Sequence, residues 1–404
     1  MSKADITIDF DHHSRYYRDN WAALAEDRVR NYPLAWTEAH GGYWILNRYD
    51  DVSAAVWNTA RFSSAHGDES KPWAKGIIIP ELPYTLELSE SDPPHHHRRR
   101  AVEAPFFTPK AMRAVVPLVD KHIDEAMAEF IGKGEVDLAT DFSMRIAAMN
   151  TIALVGIDPS LWREFMLTAH QATLLPSTHP DYPLKEIEFV QARLRQELVD
   201  RAGNPRGDIL SALANSNVGG EPLSLEVQVG MISAAIFGGF GTVMSTTLST
   251  VLWLEAHPEF HADLLVDDAL LERLINEILR VFPPNHGTAR TIGEDFEMHG
   301  QQLRQGERIM LSWVAANRDP SKFPNPGEVD INRANAHEHM SFAGGPHRCL
   351  GAPLGRLEIR RMLRALLRRM PDFRIEHDRI EYYPSFAGNA GIVSMPVRFT
   401  PGTL

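Results

Sequence analysis

Cysteine is nearly missing from this sequence: among 404 residues there is one, Cys349. That excludes an intramolecular disulfide and any zinc or iron–sulfur centre built from several thiolates. A basic excess is missing as well. Forty-one Lys and Arg stand against 53 Asp and Glu, a net charge of −12, which argues against nucleic acid as a main partner. The opening residues Met1 to Ile6 hold no apolar run, so no secretion signal or amino-terminal anchor is expected and a reduced, cytoplasmic setting is the natural reading. Internal repeats, low-complexity tracts and a convincing linker are also lacking. One uncharged run, Val227 to Leu254, is long enough to span a bilayer. It is interrupted by Gly238, Gly239 and Gly241, carries several Ser and Thr, and is flanked by Glu226 and Glu255 instead of basic residues. A helix apolar on all sides also suits the centre of a large core, so no membrane is expected.

What is present reads as a folded protein: 44% of positions are hydrophobic and 23% charged. Leu34–Thr37 and Tyr43–Leu46, separated by His40-Gly41-Gly42, predict a hairpin. A helix over Asp51–Trp57 has Asp50 or Asp51 as cap, Asp92-Pro93-Pro94 opens another with Asp92 as cap, and Thr108-Pro109 repeats the device. The segment 63–91 is a long irregular loop, of a length that is more often functional than incidental. Helical patterning dominates from about Pro109 to Leu254 and again at Leu270–Val281. Short β-like runs such as Arg308–Leu311 follow, then a helix over about Leu350–Arg369 and a last β segment at Pro396–Phe399. The expected fold is mainly α with a smaller β-rich region, in one domain over 1–404.

The most informative stretch runs from Ser341 to Arg356 around the sole cysteine. Gly344, Gly345 and Pro346 force a tight loop, and Cys349 emerges where that loop becomes a helix. Free amides and the positive end of the helix dipole, with Arg348 beside them, would favour thiolate over thiol. Gly351 leaves backbone open to a flat group, and Phe342 is placed to cover such a group. Three readings fit the cysteine: a small buried hydrophobe, a nucleophile with His347 as its base, or an axial haem thiolate. Only the last also uses the glycines and the aromatic residue.

The loop resembles the haem-binding signature of cytochromes P-450, in which an aromatic residue, glycines and a basic residue precede the cysteine and a glycine follows it. Glu277-Ile278-Leu279-Arg280 matches the family's Glu-x-x-Arg, and on a helix Glu277 and Arg280 lie one turn apart. The resemblance adds a further arginine to that pair, for which Arg333 is the candidate. The run Asp92 to Arg100 resembles the family's helix with aspartate, prolines, histidine and arginine. Carried over position by position, His96, Arg100, Arg290 and His347 would bind the haem propionates. Ala316–Pro320 and Phe323–Pro326 match further family segments. The implied cofactor is haem b held by Cys349, lying between the long central helix and the cysteine-loop helix.

In that family the central helix crosses the distal face of haem with a small residue, a glycine, an acid and a threonine. Here the run is Gly238-Gly239-Phe240-Gly241-Thr242-Val243: the threonine is Thr242, and Gly241 stands where the acid belongs. Three glycines in four positions predict a locally opened turn or close helix packing. Thr242, Gly241 and Gly238 are the catalytic candidates. The resemblance implies a monooxygenase that uses O2 and electrons from a separate ferredoxin-type donor, acting on a hydrophobic small molecule. The missing acid leaves room for atypical chemistry, such as peroxide-driven oxidation or oxidative coupling, and a haem sensor or carrier is the non-enzymatic alternative. Ile236, Phe237, Phe240, Val243, Ile79, Leu82, Ile392 and Val393 are the expected pocket walls, with Asn285 or His286 as polar anchors. Arg98, Arg99, Arg348, Arg360 and Arg361 could form a local basic face for the donor.

Overall fold

A computed structural model describes residues 3–403. Helices make up most of it, and the β-structure is confined to one mixed sheet and several short ladders. The expected hairpin forms: Leu34–Thr37 pairs antiparallel with Tyr43–Leu46, opposing Leu34 to Leu46 and Thr37 to Tyr43. The second of these strands runs parallel to Arg308–Leu311, which pairs antiparallel with Thr288–Ile292, and Phe62–Ser63 closes the far edge. All four residues of Leu34–Thr37, of Tyr43–Leu46 and of Arg308–Leu311 are buried, because helices and loops cover both faces of the sheet.

Thr108 caps the helix Pro109–Ala128 as expected, accepting a bond from the Ala111 amide. The other two capping expectations fail. The early helix is Tyr49–Ala55, so Asp50 and Asp51 sit in its first turn, and the amide of Tyr49 is held by Asp319 Oδ2 at 2.9 Å. The helix His95–Glu103 has no side-chain cap. Asp92 turns inward instead, accepting from Ser63 Oγ (2.5 Å), the Ser64 amide (2.9 Å) and Lys71 Nζ (2.5 Å), so a buried carboxylate is satisfied at the sheet edge.

The uncharged run lies within Leu225–Ala256, which by length and composition could cross a membrane but is mostly buried inside the protein. It is two helices, Leu225–Gly238 and Gly241–Ala256, hinged at Gly239 and Phe240; Phe240 leaves helical geometry at φ −126°, ψ −51°. The second helix packs on Ala352–Arg369, the helix that follows the cysteine. Between the hinge and the cysteine loop lies the space where the candidate site forms.

Candidate active site

The cysteine loop is fixed by three external contacts. Asn317 donates from Nδ2 to Ser341 Oγ (2.9 Å) and accepts the Met340 amide at Oδ1 (2.6 Å), while Ser341 Oγ donates to Leu279 O (2.6 Å). The loop closes on itself through the bond from the Cys349 amide to Phe342 O, 2.9 Å. Its glycines answer to packing: a Cβ on Gly345 would lie 2.2 Å from Val56 O, and one on Gly344 2.9 Å from Val56 Cγ2. Gly351 differs. A Cβ there would meet nothing nearer than Cys349 Sγ at 4.0 Å, so open space lies over the turn beside the sulfur.

Beneath the loop, Glu277 and Arg280 form a fully buried pair through Nε–Oε1 (2.7 Å) and Nη2–Oε2 (2.9 Å). Arg333 completes the cluster with Nε 3.1 Å from Glu277 Oε1. A buried ion pair stabilises only if its remaining donors and acceptors are met. Here Arg280 also binds Asn317 O, Pro326 O and Glu328 O, and Glu277 Oε2 accepts the Asp330 amide. The cluster therefore clamps the helix Asp268–Val281 to the segment 317–333 that carries Asn317.

Four basic side chains drawn from three separate segments gather near the sulfur. The His96 and His347 rings lie 4.2 Å apart. His96 Nδ1 and His347 Nε2 are buried with no partner. Arg290 is buried and donates to Thr288 Oγ1 and Ala289 O. Burial, with Asp92 opposing and Arg308 adding, lowers it to about 10. Burial, then Arg290, His96 and Arg100, drive His347 down to about 2, and burial with Arg100 lowers His96 to about 4. Buried, unpartnered ring nitrogens beside two arginines suit an anionic partner, and two carboxylates would meet them. The residues therefore fit the propionate edge of a haem.

Cys349 departs from expectation in one respect. Close packing around the sulfur raises the thiol pKa although the residue remains exposed on the side of the open space, and the amides of Gly351 and Ala352 with Arg100 and Arg348 oppose that rise. Desolvation outweighs the helix terminus, so the loop alone does not make a thiolate; a bound metal cation would.

On the other side of the space the three glycines of the hinge separate into three roles. Gly238 faces open space. At Gly239 a Cβ would lie 2.4 Å from Thr151 Oγ1, whose hydroxyl donates to Gly239 O at 3.0 Å. At Gly241 a Cβ would lie 2.3 Å from Asn389 Nδ2. The room left by the missing acid is thus filled by an amide from the carboxy-terminal region, which sequence reasoning did not single out. Thr242 donates from Oγ1 to Gly238 O at 3.2 Å, across the hinge.

A cavity of ≈ 230 Å³ opens beside these residues, lined by Phe237, Gly238, Thr242, Ile79, Leu82 and Asn389 among others. No acidic side chain lines it among the described residues. Ile236, Phe240 and Val243 do not reach it. They lie on the other side of the same helices, Phe240 against His170 and Val243 against Gly355. At 100° per residue, only positions near 234, 237–238 and 242 share the cavity face. Ile392 and Val393 sit in the strand Ile392–Ser394, and the chain reaches the cavity just before it, at Ala387–Asn389. Asn285 lines the cavity, but His286 is buried against Tyr17, whose hydroxyl is 2.8 Å from Nδ1. The five arginines also divide: Arg99 is paired with Glu87, Arg361 with Asp120 and Arg360 with Glu272, leaving Arg98 and Arg348 without an acidic partner among the described residues.

The family model "Cytochrome P450" matches residues 177–399. Cytochrome P450 CYP107DY1 of Priestia megaterium is 32% identical, over 89% of this chain and 90% of that protein. A steroid C26-monooxygenase of Mycolicibacterium smegmatis is 31% identical, over 96% and 94%. Among solved structures, P450BioI in complex with an acyl carrier protein ligated to hexadec-9Z-enoic acid superposes with a TM-score of 0.82 at 25% identity, over 95% of this chain and 100% of that one.

Proposed function

The chain belongs to the cytochrome P450 family and is an oxidoreductase of the monooxygenase type; from that premise we propose that it binds haem b through Cys349 and oxidises a hydrophobic small molecule, with residues 1–404 forming one haem domain. The observation that carries the reading is the set of unpartnered basic groups near the sulfur, above all the buried nitrogens of His96 and His347.

Haem bound there would supply the activation of O2, with electrons delivered by a separate ferredoxin-type donor. The chain supplies everything else. His96, Arg100, Arg290 and His347 would hold the haem's two carboxylates, Gly351 leaves the backbone side clear, and Phe342 belongs to the sulfur's loop. Cys349 would be the residue that holds the iron, through its sulfur at the start of the cysteine-loop helix. The cavity walls Phe237, Ile79 and Leu82 take the apolar body of the substrate and expel water from it. Gly238 leaves room for the part of the substrate nearest Thr242. Thr242 Oγ1 gives its single proton to Gly238 O, which orients the hydroxyl and leaves its lone pairs free to accept a hydrogen bond in the cavity. Asn389 can donate from Nδ2 beside it but carries no exchangeable acid of its own. Arg98 and Arg348, exposed and without an acidic partner among the described residues, would face the donor.

The acid-free cavity specifically favours a second reading, in which peroxide replaces O2 and reductant. Turnover with hydrogen peroxide at rates matching those with a ferredoxin system would favour it. Haem titration tests the main reading: His96→Ala and Arg290→Gln should each weaken haem retention by about tenfold or more, as loss of a charge-assisted contact to a buried carboxylate implies. Retention equal to the unaltered protein in both variants would refute the assignment.

A further inference from the structure

The polar groups on the cavity wall narrow what can occupy it. No Asp, Glu, Lys or Arg lines it among the described residues, and burial keeps the lining His12 and His13 below the ordinary histidine range. Where two loops meet on the wall, Tyr84 and Tyr182 bring their hydroxyl oxygens to 2.8 Å. With the cavity read as the substrate site of a haem enzyme, on which this rests, we propose that the tyrosine pair holds a carbonyl or hydroxyl oxygen of the substrate. The substrate class is then an uncharged, largely apolar molecule that carries such an oxygen.

Tyr84 stands in the irregular segment 63–91, its ring 6.1 Å from that of Phe237 on the helix Leu225–Gly238. Tyr182 stands in the connection between the helices Trp162–Leu174 and Leu184–Arg201. Ser177 of that connection donates to Glu81 O at 2.8 Å, so a second bond holds the two loops together beside the tyrosines. Between two hydroxyls one hydrogen makes the bond and the other is unspent, and neither oxygen has a further partner among the described residues. Other lining groups turn to backbone instead. Asn285 donates to Gly388 O at 3.2 Å and accepts the Gly287 amide at 3.1 Å, and Thr173 donates to His170 O at 2.7 Å.

The unspent hydrogen needs an acceptor once an apolar ligand has displaced water from the cavity. A ligand oxygen meets it, and the ligand's own oxygen is met in turn; leaving both unmet costs about fivefold or more in affinity. A carboxylate would accept the same hydrogen, but with no cation on the wall its charge would be buried unpaired, a far larger cost. A hydrocarbon gains from the apolar walls alone and makes no use of the pair.

Equilibrium dialysis of haem-loaded protein tests this with cyclododecanone, cyclododecanol, cyclododecane and cyclododecanecarboxylate, at about pH 8 where the last is ionised. Tyr84→Phe/Tyr182→Phe should bind the ketone and the alcohol at least about fivefold more weakly than the unaltered protein, and the hydrocarbon equally well. Each single variant should lose less than the double, since the hydroxyl left alone keeps a hydrogen to give. The unaltered protein should bind the carboxylate at least about tenfold more weakly than the ketone. The carbon monoxide spectrum of every sample reports haem ligation separately, and a missing band in the unaltered protein overturns the haem reading and the tyrosine assignment with it. With the band present, four results overturn the assignment alone: no ketone binding, a double variant within about twofold for the ketone, an equal loss for the hydrocarbon or in one single variant, or a carboxylate bound as tightly as the ketone.

Discussion

Replacing Gly241 by aspartate would restore the acid usual in this family, and it should destabilise the protein unless Asn389 is shortened at the same time. A Cβ at position 241 falls 2.3 Å from Asn389 Nδ2 and 3.0 Å from its Cγ. Normal contact between such atoms needs roughly 3.5 Å, so the amide must move by more than 1 Å. Asn389 is only 5% exposed, and the Tyr383 hydroxyl lies beside it, so there is little room to yield. Overpacking of this kind costs about 1–3 kcal/mol. The new carboxyl would add desolvation, which raises its own pKa. Asn389→Ala removes every atom involved in the clash and should cost about 1 kcal/mol or less alone. Urea unfolding of the single and double variants forms a thermodynamic cycle, with an expected coupling of about 1–2 kcal/mol favouring the double variant. Product formed per reductant consumed should then change cleanly only in the double variant. Additive effects, or a Gly241→Asp protein as stable as the unaltered one, would refute the idea that Asn389 occupies the acid's place.

Gly238→Leu should leave folding intact, because a side chain there enters open space, yet it should weaken binding of cavity-filling ligands by at least about tenfold; titration of the ligand-induced haem spectral shift measures this. Glu277→Ala should cost about 3–5 kcal/mol by leaving Arg280 and Arg333 buried without their acid, seen as loss of soluble haem-loaded protein, whereas a surface change such as Glu294→Ala should not. His286 is lowered to about 3 by burial, with Arg28 and Arg318 adding to the effect. Its folded pKa lies below the unfolded value near 6.5, so it contributes stability above pH 6.5 that is lost as pH falls towards 3, at up to about 1.4 kcal/mol per pH unit. Unfolding free energies of His286→Asn between pH 4 and 6 should show a correspondingly shallower decline; an unchanged slope would contradict the burial argument.

Local chain signals read well. The cysteine loop, the Glu277–Arg280 pair and the hairpin lie within short stretches where spacing alone decides which side chains meet. Even the partner Arg333 was legible through resemblance. Helix faces were legible in principle: Ile236, Phe240 and Val243 differ from Phe237, Gly238 and Thr242 by the 100° rotation per residue, and apolar character alone did not separate them. Caps failed where a distant partner competed, as Asp319 did for the Tyr49 amide and the sheet edge did for Asp92. Asn389 and the Tyr84–Tyr182 pair depend on segments far apart in sequence, and no spacing rule announces them. The thiol of Cys349 shows the same limit in electrostatics: the sequence displays the helix terminus that lowers its pKa but not the surrounding packing that raises it.

The most direct measurement is the absorption of the reduced, haem-loaded protein under carbon monoxide, for the unaltered chain and for Cys349→Ser. Thiolate ligation by Cys349 requires the strongly red-shifted band in the first and its absence in the second; a missing band in the unaltered protein, or a band that survives the substitution, contradicts the assignment.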